Sequence, residues 1–407
     1  MLTPTDALKR ILETLRPLSQ MEEVPLEQSV GRVLARAAVS DVDLPPFEKS
    51  AMDGFAVCSA DFGPESAPAG ERTLPIVGES RAGAPFAGEL APGTCAAIYT
   101  GAELPRGADS VVIVEQSTSA GEALVTLRDR PTPGQHICHR GSDLSTGMAV
   151  LAPGRRIRAV DLALLAAVGC EPVPVVRRPR VAVLTSGDEL VPPSKRPGLG
   201  QIREGNTLHL AAMARAAGAF VTERGVVRDD ERELERCFAA ALARCDVLVT
   251  TGGVSMGKYD LVGAALERIG VRGDFHRVAI KPGKPLWFGL AGDKPVFALP
   301  GNPVSCLVNH EVFVGPALRV LGGERASDVF STPLRAVWAG PARGTNPREQ
   351  YLPVRVVPGV DGVTRLEPVK WNGSADVVGI SNCSALAVQP IDTLLKPGDV
   401  VVYRSLG

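Results

Sequence analysis

Residues 245–270 read CDVLVTTGGVSMGKYDLVGAALERIG. The apolar run ending at Val249 predicts a buried strand, and the stretch from Tyr259 onward predicts a helix. Between them lie two glycines, a hydroxyl at Ser255, a third glycine and the Asp260 carboxylate. A plain turn needs one glycine or two. This loop is built for something to approach its backbone.

The same alternation extends outward on both sides. RVAVLTSGDEL (180–190) is a strand running into a loop, NTLHLAAMARAAGA (206–219) a helix, FVTERGVV (220–227) a strand and DERELERCFAAALA (230–243) a helix. Beyond the opening stretch, DFHRVAI (274–280) reads as a strand, and PLWFGL (285–290) with KPVFALPG (294–301) as a hairpin. A long helix then opens at Asn302-Pro303, with Asn as cap and Pro in first position. Strands alternating with helices predict a central, mostly parallel α/β sheet domain.

Flanking segments differ. Residues 54–150 are rich in Gly and Pro with short apolar runs, which predicts a small β domain. VPLEQSVGRVLARAAVS (24–40) and APGRRIRAVDLALLAAVG (152–169) read as helical connectors, so the β block is an insertion between them. After residue 328 the pattern turns β again. The expected layout is an N-terminal helix (1–26), a helical connector region (27–50 and 148–177), an inserted β domain (51–147), the central α/β domain (178–328) and a C-terminal β domain (329–407). Leu8, Ile11, Leu12 and Leu15 fall at helical spacing behind Thr3 as N-cap and Pro4, so the N-terminus is an amphipathic helix and not a signal peptide.

Bulk composition excludes several classes. The 407 residues carry a formal net charge of −1 and only 4% aromatics, which disfavours nucleic acid as a partner. No run of 18 apolar residues predicts a membrane span. Eight scattered cysteines without a Cys-x-x-Cys pair fit a reducing, cytoplasmic setting. Neither Walker A nor a G-x-G-x-x-G after a strand occurs. His136, Cys138 and His139 lack a fourth ligand at finger spacing. Arg140 and Asp143 in the same loop read either as polar site residues or as a structural ion pair.

Ligands of open parallel sheets bind beyond the carboxyl ends of the strands. Four such ends carry unusual loops here: Thr185 to Glu189, Asp229-Asp230, Gly252-Gly253 through Asp260, and Lys281 to Lys284 around a Pro-Gly turn. The helix start adds N–H groups near Asn302 and Ser305. Glycines admit an oxyanion to backbone N–H groups, and lysines add charge. Carboxylates beside an anion make sense when a divalent cation bridges them. Asp260 is the carboxylate read to hold such a cation or to orient water, beside the acids of the Asp188-Glu189 and Asp229-Asp230 loops.

SAMDGFAV (50–57), IYTGAELPRGADSVVIVEQ (98–116), RGSDL (140–144), TSGDEL (185–190), REGN (203–206), TTGGVSMGKYD, AIKPGKP (279–285) and LPGNPVS (299–305) together resemble the molybdopterin molybdenumtransferase family, which includes bacterial MoeA and the E domain of gephyrin. These stretches span nearly the whole chain in the family's order. The resemblance implies four domains and an elongated homodimer. Its site lies between the β domain of one subunit and the central and C-terminal domains of the other. The implied reaction consumes adenylylated molybdopterin and molybdate, releases AMP and uses Mg²⁺. It also implies contact with molybdopterin adenylyltransferase. On this resemblance Asp53 and Thr100 come from the partner subunit, and Asp143, Glu189, Asp229 and Asp260 are acidic site positions. Lys281 and Lys284 bind anions, Pro300 and Pro303 frame the Pro-Gly-Asn-Pro turn, and Ser374 is contributed by the C-terminal domain. Two other readings compete. A related lone α/β domain adenylylates molybdopterin, but it lacks the flanking β domains and SAMDG. A non-catalytic scaffold like the gephyrin E domain, which binds receptor peptides, is disfavoured because every acidic position is present.

Overall fold

In the computed structural model the described residues are 1–63, 70–121, 123–253, 261–329 and 333–406. They divide into two compact units: one of residues 1–36, 153–158 and 173–407, the other of 37–152 and 159–172.

In the first unit, helix α1 (Pro4–Thr14) starts as its sequence dictates. Thr3 Oγ1 accepts from the Asp6 N–H at 3.1 Å, and Pro4 occupies the first turn, where its missing N–H costs nothing. The central sheet runs in the order Phe220–Val227, Arg180–Ser186, Val247–Thr251, Lys294–Leu299, Trp287–Ala291, Arg272–His276. Its first four strands are mutually parallel, and Trp287–Ala291 is reversed by the expected hairpin.

The other unit holds helix α2 (Asp161–Ala167) and a six-stranded sheet ordered Ser110–Ile113, Gly54–Val57, Cys95–Ile98, Arg72–Ser80, Leu124–Leu127, Ser117–Ser119. The expectation of a helical connector over 24–40 is corrected. Only Leu26–Gln28 forms a helical turn there, a 3₁₀ one. Gly31 sits at φ +77°, which ends any helix, and Val33 and Leu34 are both buried while pairing as isolated bridges with Arg156 and Val175.

Helices cover both faces of the central sheet. Helix α3 (Asn206–Ala216) packs with α1 on one face, while α4 (Glu231–Arg244) and α5 (Leu261–Arg268) cover the other. Helix α6 (Pro303–Asn309) continues through one π turn, His310–Val314, into α7 (Gly315–Leu321). Pro316 has no N–H to return to Val312, and the ladder widens so that the Gly315 N–H reaches the His310 carbonyl. This Pro303–Leu321 segment is long and apolar enough to cross a membrane, but 89% of that window is buried, as befits a core helix.

The last sheet is closed. Glu349–Pro358, Thr364–Pro368, Leu334–Trp338, Val400–Ser405 and Ala385–Gln389 follow one another, and the last pairs back onto the first. Trp338, Leu352, Val354 and Leu366 fill its interior. Ile280–Lys281 pairs in parallel with the first residues of Glu349–Pro358, so a central-domain segment is tied to the C-terminal sheet.

Candidate active site

Three strand ends of the central sheet converge. Thr185 Oγ1 donates to the Thr251 carbonyl at 3.1 Å, and Thr251 Oγ1 donates to the Pro300 carbonyl at 2.9 Å. Cys306 Sγ, fully buried, donates to the same Pro300 carbonyl at 2.9 Å. These bonds lash the ends of Arg180–Ser186, Val247–Thr251 and Lys294–Leu299 together.

Gly252 and Gly253 both hold positive φ, at +88° and +62°. A Cβ on Gly252 would stand 2.5 Å from the Ser186 carbonyl oxygen, and one on Gly253 would stand 2.7 Å from Val262 Cγ2. Both positions therefore require glycine for conformation and for space. Ser186 lies against this turn, and its hydroxyl is buried without a partner among the described residues. An orphaned buried hydroxyl is costly unless a ligand or water completes it. The sequence offers Ser186 only as one residue of the Thr185–Glu189 strand-end loop; its burial without a partner sets it apart.

Two cavities meet along Ser186, Glu189, Gly252, Gly301 and Asn302. One, of about 340 Å³, also exposes Asp229 and Pro285. The other, of about 820 Å³, is walled on its apolar side by Leu190, Ile202, Leu307, Val377 and Ile380. His209 of α3 also lines it; burial holds its imidazole pKa below the ordinary value.

The adjacent acids Asp229 and Asp230 separate. Asp230 caps α4 by accepting from the Glu233 N–H at 2.9 Å, which leaves Asp229 to face the smaller cavity. Lys281 is exposed and Lys284 half-buried, and neither has an ion-pair partner among the described residues. Ser255, Gly257 and Asp260 lie outside the described residues.

The start of α6 corrects one expectation. Pro303 brings no N–H, and the Val304 N–H donates to the Ser374 carbonyl at 3.0 Å. Asn302 occupies the cap position, but its Nδ2 donates to Ser374 Oγ at 2.9 Å instead of its side chain capping the helix. The Val304 N–H and the Asn302 side chain are thus committed to the C-terminal domain's Ser374 loop. Ser305, one turn in, is buried. Asn206 Nδ2 donates to the Gly301 carbonyl at 2.6 Å and fixes the Pro-Gly-Asn-Pro turn from the other side.

Asp53, Thr100 and Asp143 belong to the second unit. Asp53 Oδ1 accepts from the Thr100 N–H at 2.7 Å and from Thr100 Oγ1 at 2.8 Å. These bonds lower the Asp53 pKa, the backbone one most. Arg140 pairs with Asp43 at 2.7 Å, so the ion pair in that loop is not made with Asp143. Asp143 is exposed, with Ser142 Oγ 3.4 Å from its Oδ1. No group of three or more His, Cys, Asp or Glu arranged for a metal occurs among the described residues.

A glycine-lined cleft at the carboxyl ends of a parallel sheet, beside a closed β-barrel, defines a multidomain α/β ligand-binding protein. Residues 2–169 match the MoeA N-terminal region (domain I and II), and residues 182–320 a probable molybdopterin binding domain. A molybdopterin molybdenumtransferase of Haemophilus influenzae is 37% identical over 325 residues, covering 80% of this chain and 79% of that protein. One from Bacillus subtilis is 33% identical over 95% of this chain and 90% of its own length. The crystal structure of the molybdopterin biosynthesis moeA protein from Pyrococcus horikoshii OT3 superposes with a TM-score of 0.84 at 28% identity, covering 100% of both chains. The chain belongs to the molybdopterin molybdenumtransferase family.

Proposed function

We propose that this chain transfers molybdenum from molybdate to adenylylated molybdopterin and releases AMP, as a cytoplasmic homodimer that receives its substrate by contact with the adenylyltransferase. The supporting observation is the pair of adjoining cavities. The larger, with one apolar wall, suits a fused heterocycle. The smaller, floored by Gly252, Gly253 and Ser186, suits phosphate and oxyanion.

Each group then has a task. Gly252 and Gly253 admit the phosphates to the backbone. The buried Ser186 hydroxyl offers them a hydrogen bond. Lys281 and Lys284 neutralise the molybdate dianion and the charge that develops on the leaving phosphate. Asn206 and Asn302 hold the turn between the two cavities, and Ser374 fastens it to the C-terminal barrel.

The carboxylates of the smaller cavity, Glu189 and Asp229, are hard oxygen donors. They fit Mg²⁺, which takes one or two carboxylates together with water and substrate phosphate. Glu189 and Asp229 would hold the ion, joined by Asp260. Bound there, it would neutralise charge on the phosphoanhydride.

The test is an AMP assay. Adenylylated molybdopterin plus molybdate should yield AMP, and omission of molybdate should slow its release. Pyrophosphate release from ATP and molybdopterin, with no AMP in the first assay, would replace this reading with nucleotidyl transfer.

A further inference from the structure

The Lys281–Lys284 turn is held by a residue so far without a role. Asn309 closes α6 and is fully buried. Its Nδ2 donates to the Gly283 carbonyl at 3.1 Å and to the Ser305 carbonyl at 2.8 Å. Two carbonyl acceptors use both amide protons and fix which way the amide faces. Its Oδ1 is buried with no partner among the described residues. A buried acceptor left unpaired works against folding, so the amide is not there as filler.

Gly283 is shaped to receive it. Its φ is +110°, and a Cβ there would lie 2.4 Å from Asn309 Nδ2. Pro282 and Gly283, the crest of the turn, are buried, while Lys281 on one side is exposed and Lys284 on the other half-buried. The two flanks are tied by backbone alone: Lys281 through pairing with the barrel strand at Gln350, and Lys284 through its carbonyl to the Val278 N–H at 3.1 Å. Among the described residues, Asn309 makes the only side-chain hydrogen bond to the crest.

We infer that Asn309 is a positioning residue. It sets the crest of the turn so that Lys281 and Lys284 are presented together to one small oxyanion. The inference rests on the reading of those lysines as molybdate ligands. Without the amide, the crest keeps its flanks but loses the bond that fixes their relative orientation. The two ammonium groups then meet the anion from a broader distribution of positions, and affinity falls.

The test uses the full-length protein and molybdate as the titrant in calorimetry. Asn309→Leu keeps the approximate volume and removes both bonds. Asn309→Thr keeps a hydroxyl that can return to the Ser305 carbonyl but is too short for Gly283. Both variants should bind molybdate about tenfold more weakly, and in turnover the molybdate KM should rise more than kcat falls. In a Lys281→Ala/Lys284→Ala background the same Asn309 substitution should have no further effect on molybdate affinity, whereas a purely structural defect would persist. A folded Asn309 variant with parental molybdate affinity overturns the inference. If the double lysine variant itself binds molybdate normally, the assignment of the lysines fails instead, which is a separate result.

Discussion

His310, the next residue along, presents a different problem. It is 2% exposed, and neither ring nitrogen has a partner among the described residues. Burial, with a smaller contribution from nearby His209, pushes its pKa down to about 3. The unfolded chain would protonate this imidazole near pH 6.5, so below that pH the unfolded state binds more protons than the folded one. Stability carried by the neutral ring is therefore complete above about pH 6.5 and is lost progressively as pH falls toward 3. His209, shifted in the same direction, adds to the trend. His310→Leu has a similar volume and no proton to gain. We expect it to be the more acid-resistant protein by on the order of 1–2 kcal/mol at pH 5, read from denaturant melts at pH 7.5 and pH 5. An equal loss in both proteins would show that this imidazole does not govern acid stability. None of this is legible in the sequence. A histidine beside an asparagine in an apolar helix looks like any filler, and its sequence neighbours do not announce that α3, which carries His209, packs against this turn. Asn309 is hidden for the same reason, since its partner Gly283 lies 26 residues away.

Between strand and helix, the glycine turn after Val247–Thr251 shows what local sequence can reveal. Its glycines mark a backbone that a side chain would block, and the structure supplies the blocking atoms. For Gly252→Ala, the Cβ meets a backbone carbonyl, that of Ser186, at 2.5 Å and at φ +88°. A main-chain atom of a central strand cannot swing aside as a side chain could. The strained φ alone costs about 1–2 kcal/mol, and the clash adds to it. Gly252→Ala should lower the melting temperature and widen the turn at the junction of the two cavities, weakening molybdate and AMP binding together. Unchanged melting and unchanged AMP affinity would mean that the turn relaxes freely. The alternating strands and helices were equally legible, because each repeats a period that its own residues set. The segment 24–40 was not. Its apolar spacing suits a helix, and Gly31 alone carried the contrary signal. Of the acidic pair Asp229-Asp230, sequence could not choose the cap, because either residue can serve and only the entry angle of α4 decides. At the helix start by Pro303, nothing nearby in sequence announces Ser374, which takes the Val304 N–H and the Asn302 side chain from the C-terminal domain.

At the level of the whole molecule, the candidate residues fall in two compact units of the chain. The cavities with Glu189 and Asp229 belong to one, as does the Lys281–Lys284 turn that borders them only through Pro285; Asp53, Thr100 and Asp143 belong to the other. The Asp53–Thr100 pair has the character of a prepared surface. Both side chains are exposed, yet Asp53 already accepts two hydrogen bonds that hold it ionised. Such ordering at a free surface is easiest to understand if the pair completes a site. We predict a homodimer in which the second unit of one subunit completes the cavities of the other. Sedimentation at micromolar concentration tests the assembly, and a monomer there would end the idea. Mixing two inactive variants tests the sharing. Asp53→Ala damages only the second unit, and Lys284→Ala only the first. In a dimer with shared sites, a mixed pair contains one site with both defects and one with neither. Random exchange at equal concentrations makes half the dimers mixed, so about one quarter of the parental AMP release should return. Sites formed within single subunits would return none, because every subunit in the mixture carries one defect.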